Sequence, residues 1–87
     1  MDHLSQTVRA VIALSAAYRP GAITEAEQVI DTYLATFQGY RNLADAIDRL
    51  QAELSLPQHR ALNRGGLFEQ VEMHLDQRRR EAAYRFQ

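Results

Sequence analysis

The chain has 87 residues, a formal net charge of −1 and no cysteine. This length allows one hydrophobic core, so we expect a single domain over 1–87. The charge balance excludes a general attraction to nucleic acid or anionic membranes, and the lack of cysteine excludes disulfides, thiolate metal ligands and a cysteine nucleophile.

The first half of the chain predicts two helices. Apolar residues recur at helical spacing over residues 2–18, and Pro20 ends that helix because proline biases the preceding residue away from the α region. The sequence Thr24-Glu25-Ala26-Glu27 has the form of a capping box and predicts the start of a second helix. Gly39 is the expected stop, since glycine tolerates the left-handed conformation that helix ends often need.

The second half predicts two or three more helices. Asn42 is the expected N-cap of the third, and Ser55-Leu56-Pro57-Gln58 reads as another capping box that opens a short helix ending at Gly65-Gly66. The last helix is predicted over residues 67–84. The fold class is therefore all-α, a compact bundle or array of four to five short helices joined by short connections.

The first helix is apolar all the way round. In the segment Val8 to Tyr18, nine of eleven residues are apolar, so this helix needs cover on more than one side. In one interpretation it is the central helix, wrapped by the others. In the second, the ridge Ala10, Ala13 and Ala17 permits close backbone approach and meets a second chain.

The basic residues concentrate near the C-terminus. Arg78, Arg79 and Arg80 follow one another in steps of about 100° around the helix, so they cannot form one phosphate-tracking row, and Arg85 follows them. We favour a solvated face, with Asp76 and Glu81 four residues before Arg80 and Arg85 as intrahelical partners. The alternative is contact with nucleic acid or with an acidic partner.

Three aromatic residues stand at predicted helix ends. Tyr40 follows the predicted stop at Gly39, and Tyr84 and Phe86 lie at a terminus that would ordinarily fray. In the favoured interpretation the C-terminal turn packs on its own bundle. The alternative is that these three residues are aromatic anchors for a partner.

The sequence contains no motif for catalysis or for a cofactor. His3, His59 and His74 lack the i, i+3 or i, i+4 relation to one another or to acids that helical metal sites use, so no metal and no cofactor are expected. Gly65-Gly66 lacks the lysine and the further glycine of phosphate-binding loops. We therefore expect no enzyme activity.

The leading hypothesis is a non-catalytic protein-interaction module, a small regulator, inhibitor or adaptor that is itself a homodimer. The runner-up is a nucleic-acid-associated regulator that uses the basic C-terminal half. We expect a cytoplasmic protein, because the apolar run near the N-terminus lacks the basic start of a signal peptide and is too short to span a membrane. All ten basic residues are arginine, which suggests a GC-rich bacterial or phage source.

Overall fold

A computed structural model describes residues 2–85, and within this range the chain forms five helices and no strand. The helices are α1 (His3–Ala17), α2 (Ala22–Leu34), α3 (Tyr40–Leu54), α4 (Pro57–Arg60) and α5 (Leu67–Arg85). Only α4 is as short as one turn. The predicted all-α array of four to five short helices is confirmed.

The start of α2 differs from the prediction. The helix begins at Ala22, two residues before Thr24, and its N-cap is Gly21 with a φ of 84°, a conformation that glycine adopts without steric cost. This earlier start buries Ala22. Glu27, whose carboxylate would complete the box, lies 3.6 Å from His74 Nδ1 instead. The predicted capping box is therefore wrong.

The connection between α2 and α3 is also shifted. α2 ends at Leu34 rather than at Gly39, and Gly39 is instead the N-cap of α3. The predicted N-cap Asn42 lies in the first turn of α3, where its side-chain amide donates to the carbonyl of Gln38. Tyr40 consequently opens a helix rather than following one.

Ser55 closes α3 instead of capping α4. Its hydroxyl donates to the carbonyl of Gln51 at 2.7 Å, and that carbonyl also accepts from the backbone N–H of Ser55 at 3.0 Å. The N-cap of α4 is Leu56, followed by Pro57 in the first turn. The second predicted capping box is therefore wrong, whereas proline at the start of a short helix is confirmed.

The core lies where α1 packs on α2, α3 packs on α5, and α2 packs on α5. The predicted apolar stripes of α2, α3 and α5 supply most of it. Its largest fully buried apolar side chains are Val11, Ile30, Ile47, Leu50, Leu54, Phe68, Val71 and Leu75. α1 and α2 run antiparallel, since His3 at the start of one and Thr36 beyond the end of the other line the same groove.

The segment between α4 and α5 is held against the C-terminal end of α1. The hydroxyl of Ser15, which is fully buried, donates to the carbonyl of Leu62 at 3.1 Å and accepts from the N–H of Arg64 at 2.8 Å. The ring of Tyr18 lies against Gly65 so closely that a Cβ on Gly65 would come within 2.0 Å of it. Both contacts join residues almost fifty positions apart in the chain.

Candidate functional site

α1 is covered on one side only. Val11 and Ser15 are fully buried on its inner side, whereas Ala13 and Ala17 are exposed and Ala10 is half-buried. The interpretation of α1 as a central helix wrapped by the others is therefore wrong. The predicted alanine ridge lies on the accessible side of the helix.

A broad, open groove of about 700 Å³ lies beside this ridge, between α1 and α2. Val29 and Tyr33 contribute apolar side chains to its lining, and three threonines also line it. Its lining comes from His3, Gln6, Thr7, Glu25, Gln28, Val29, Thr32, Tyr33 and Thr36.

The groove and the alanine ridge form one continuous surface. Gln6, Ala10, Ala13 and Ala17 are separated by four, three and four residues, so they lie in one row along α1, and Gln6 lines the groove. We call this surface the outer face. It consists of Gln6, Thr7, Ala10, Ala13 and Ala17 from α1 and of Gln28, Val29, Thr32 and Thr36 from α2 and the residues just beyond it.

None of the residues that define the outer face is charged, although two residues that can carry charge, His3 and Glu25, also line the groove. His3 stands at one end, and the other end has Glu25, whose two carboxylate oxygens accept from Arg19 at 2.9 and 2.6 Å. The hydrogen bonds from the Arg19 guanidinium hold the pKa of Glu25 below its usual range. These two opposite charges compensate each other, so the pair adds no net charge at this end of the outer face.

The remaining charges of α1 and α2 point elsewhere. Arg9 lines a different groove, together with Glu53. On α2, Glu27 and Asp31 approach His74 of α5. Charged residues make up 24% of this chain. A surface on two helices that is formed by uncharged residues therefore differs from the solvated faces of α3 and α5. Depletion of charge is typical of the centre of protein interfaces.

The three successive arginines of α5 point to different neighbours, as their spacing predicts. Arg78 donates to both carboxylate oxygens of Asp31 on α2, at 2.9 and 3.1 Å, and Arg79 pairs with Asp48 on α3 at 2.6 Å. Arg80 is exposed. Two of the three guanidinium groups are therefore engaged in joining α5 to other helices.

Asp76 and Glu81, the predicted intrahelical partners of α5, make other contacts as well. The Asp76 carboxylate accepts from Gln51 of α3 at 2.9 Å, and Glu81 accepts from Arg78 at 2.9 Å. Arg85 is exposed and lines a groove of about 320 Å³ with residues of α2 and α3. These contacts show that α5 uses its polar side chains mainly for packing against its neighbours.

His74 is the one nearly buried histidine among the described residues. Its side chain is 8% exposed, its Nε2 lies 2.8 Å from Asp31 Oδ1, and its Nδ1 lies 3.6 Å from Glu27 Oε2. Because an ionised carboxylate only accepts, Nε2 is the protonated nitrogen in the bond to Asp31. Hydrogen bonds from Arg78 and then from His74 lower the pKa of Asp31, against the effect of burial.

A histidine oriented by an aspartate is also an element of catalytic triads. Whether His74 could act in this way depends on whether a nucleophile lies beside it. The groove beside His74 is lined by Glu27, Gln70, Met73, Asp76, Gln77 and Arg80, a set without a hydroxyl or thiol nucleophile. Asp31 is simultaneously bonded to Arg78 through both oxygens. This arrangement is suited to joining α2 and α5.

The predicted aromatic anchors are separate from the outer face. Tyr40, 43% exposed, begins α3, and Tyr84, 80% exposed, lies in the last turn of α5. Phe86 lies outside the described residues. The predicted partner residues thus belong to two places, the alanine ridge of α1 and the helix ends of α3 and α5.

Sequence reasoning missed the polar part of the outer face and the anchored loop. Gln28 and Thr32 carry no motif, and only the position of α2 beside α1 assigns them to the outer face. The partners of the buried Ser15 lie far along the chain, so no local pattern indicates them. Tyr18 is 69% exposed although it lies against Gly65.

Within residues 2–85, no group of three or more histidine, aspartate or glutamate side chains is arranged to hold a metal ion. In the same range, every helix is too short or too polar to cross a membrane. The sequence matches no protein family model, and no curated protein or solved structure is significantly similar to it.

Proposed function

We propose that this protein is a non-catalytic interaction module, a small regulator, inhibitor or adaptor that works by binding another protein through the outer face. The observation that carries the proposal is the absence of charge from that surface. Burying an unpaired charge is costly, so a surface free of charge can be covered by another protein without that penalty.

The shape of the outer face supports the same proposal. The alanines of α1 allow the backbone of a partner to approach closely, and the groove beside them receives larger side chains against its apolar lining residues. Gln28 and Thr32, which also line the groove, can each donate and accept hydrogen bonds. We place this activity in the cytoplasm, a compartment that suits a chain without cysteine.

The nucleic-acid alternative receives less support from the contacts of α5. Arg78 and Arg79 would have to leave Asp31 and Asp48 before they could neutralise phosphates. Binding to phosphates would then cost the contacts that hold α5 to α2 and α3. Arg80 is the member of the triplet that could contact a phosphate without breaking an ion pair.

Site-specific photo-crosslinking tests the proposal. A photoreactive amino acid replaces Thr32 on the outer face, and in a matched control it replaces Gln58, an exposed residue of α4. We expect illumination in the natural host to give a discrete protein adduct from position 32 and none from position 58. Equal adducts from both positions, no adduct from either, or an adduct with nucleic acid would contradict the proposal.

A further inference from the structure

We infer that the protein bound at the outer face is a second copy of this chain, docked through the same surface about a twofold axis. This inference rests on the proposed function and names its partner. The two α1–α2 hairpins would then pack face to face, as the two halves of a four-helix arrangement do, and would close the groove of each protomer.

The charge distribution favours a copy of the chain over a charged partner. A twofold interface places a surface against itself, so a surface with net charge would repel its copy. The residues of the outer face are uncharged, and the neighbouring Arg19 and Glu25 form a closed pair. Arg9, which borders the alanine row, lines a different groove. Conversely, the outer face has no charge with which to attract or orient a charged partner.

The polar side chains on the outer face fit a twofold interface. Gln28 and Thr32 each have hydrogen-bond donors and acceptors. When one of them donates a hydrogen bond to the other protomer, the twofold axis generates a second, equivalent bond in the opposite direction. An interface that relied on carboxylates alone, or on arginines alone, could not be paired in this way. The residues present are therefore self-complementary.

The area of the outer face is sufficient for a weak dimer. α1 has 15 residues and is about 22 Å long, and two packed helices are roughly 18 Å wide, which gives about 400 Å² in projection. A standard interface buries about 800 Å² of accessible surface per partner, and weak interfaces bury less than about 600 Å². At about 400 Å² the outer face belongs to the class of weak interfaces, so we expect a dissociation constant on the order of 10 to 100 µM.

Sedimentation equilibrium of the purified chain tests the inference. We expect a monomer and dimer in equilibrium over protein concentrations of about 5 to 500 µM. Ala13→Glu places a carboxylate in the centre of the interface against its own copy and should weaken the dimer at least about tenfold, even where Arg9 one turn away pairs with it. The matched control Ala52→Glu adds the same charge at an exposed position of α3 and should leave the dissociation constant within about twofold.

Thr32→Glu provides a second test from α2, in case Ala13→Glu does not fold, and circular dichroism checks each variant. A wild-type monomer throughout the range would overturn the inference, as would a dimer that persists with Ala13→Glu or that Ala52→Glu weakens equally. If the wild-type chain is a monomer and position 32 still cross-links to a different protein, the second copy is refuted while the proposed function stands.

Discussion

Replacing Ser15 by alanine should destabilise the protein through its loop rather than through its helix. Alanine is a better helix former than serine, so within α1 itself the change is slightly favourable. The loss comes from two hydrogen bonds, one to the carbonyl of Leu62 and one from the N–H of Arg64. Both backbone groups lie on the segment that connects α4 to α5.

The size of the effect follows from these two hydrogen bonds. Ser15 is fully buried, whereas Leu62 and Arg64 belong to an exposed loop, so the loss is that of the two hydrogen bonds themselves. A hydrogen bond contributes about 0.5 to 1.5 kcal/mol, and with two bonds removed we expect a loss near 2 kcal/mol for Ser15→Ala. For a domain of this size, that corresponds to a fall in melting temperature of roughly 8 to 16 °C.

Urea denaturation measures the free energy of unfolding, and amide hydrogen exchange at Arg64 reports on the loop directly. Ser5→Ala is the matched control, since Ser5 lies on the same helix and its side chain makes only a surface hydrogen bond with the exposed Asp2, so it should cost less than about 1 kcal/mol. If Ser15→Ala costs no more than this control, or if exchange at Arg64 is unchanged, the anchoring role of Ser15 is refuted.

Two further predictions concern the same end of α1 and the contact between α2 and α5. Gly65→Ala should destabilise by about 1 to 2 kcal/mol in thermal melts, because Gly65 has a φ of 60° and a Cβ there meets the ring of Tyr18. The same substitution made together with Tyr18→Ala should cost less than in the wild-type background, and equal costs would exclude a clash. Hydrogen bonds from Arg78 and His74 lower the pKa of Asp31 in the folded protein. As the pH falls, Asp31 is therefore protonated in the unfolded chain before it is protonated in the folded one. Stability from this group is therefore present above its unfolded pKa of about 4 and is lost as the pH falls through the folded pKa. Asp31→Asn should flatten the acid side of a plot of unfolding free energy against pH, and an unchanged slope would show that the pairing contributes nothing.

Apolar periodicity in the sequence was enough to predict the four long helices and most of the core. Ile30, Ile47, Leu50 and Leu75 occupy buried positions because their spacing keeps them on one face of a helix, whatever the helices pack against. The divergence of Arg78, Arg79 and Arg80 was equally predictable, since a helix turns about 100° per residue.

The helix ends were harder to predict. Thr24 and Ser55 both have the local sequence of a capping box, yet Gly21 and Leu56 hold the N-cap positions. A cap contributes only about 1 kcal/mol, so packing one more turn against the core, as with Ala22, outweighs it. Short motifs therefore located these helices but not their first residues.

The candidate site depended most on tertiary structure. The alanine ridge was visible in the sequence, but two interpretations were open until α1 was found to be covered on one side only. The neutrality of the outer face could not be predicted, because it depends on which acids of α2 turn toward α5. Asp31 and His74 are 43 residues apart, and no local pattern relates them. Local spacing determines which residues share a helix face, whereas only the packing of helices decides which faces are covered and which charges meet.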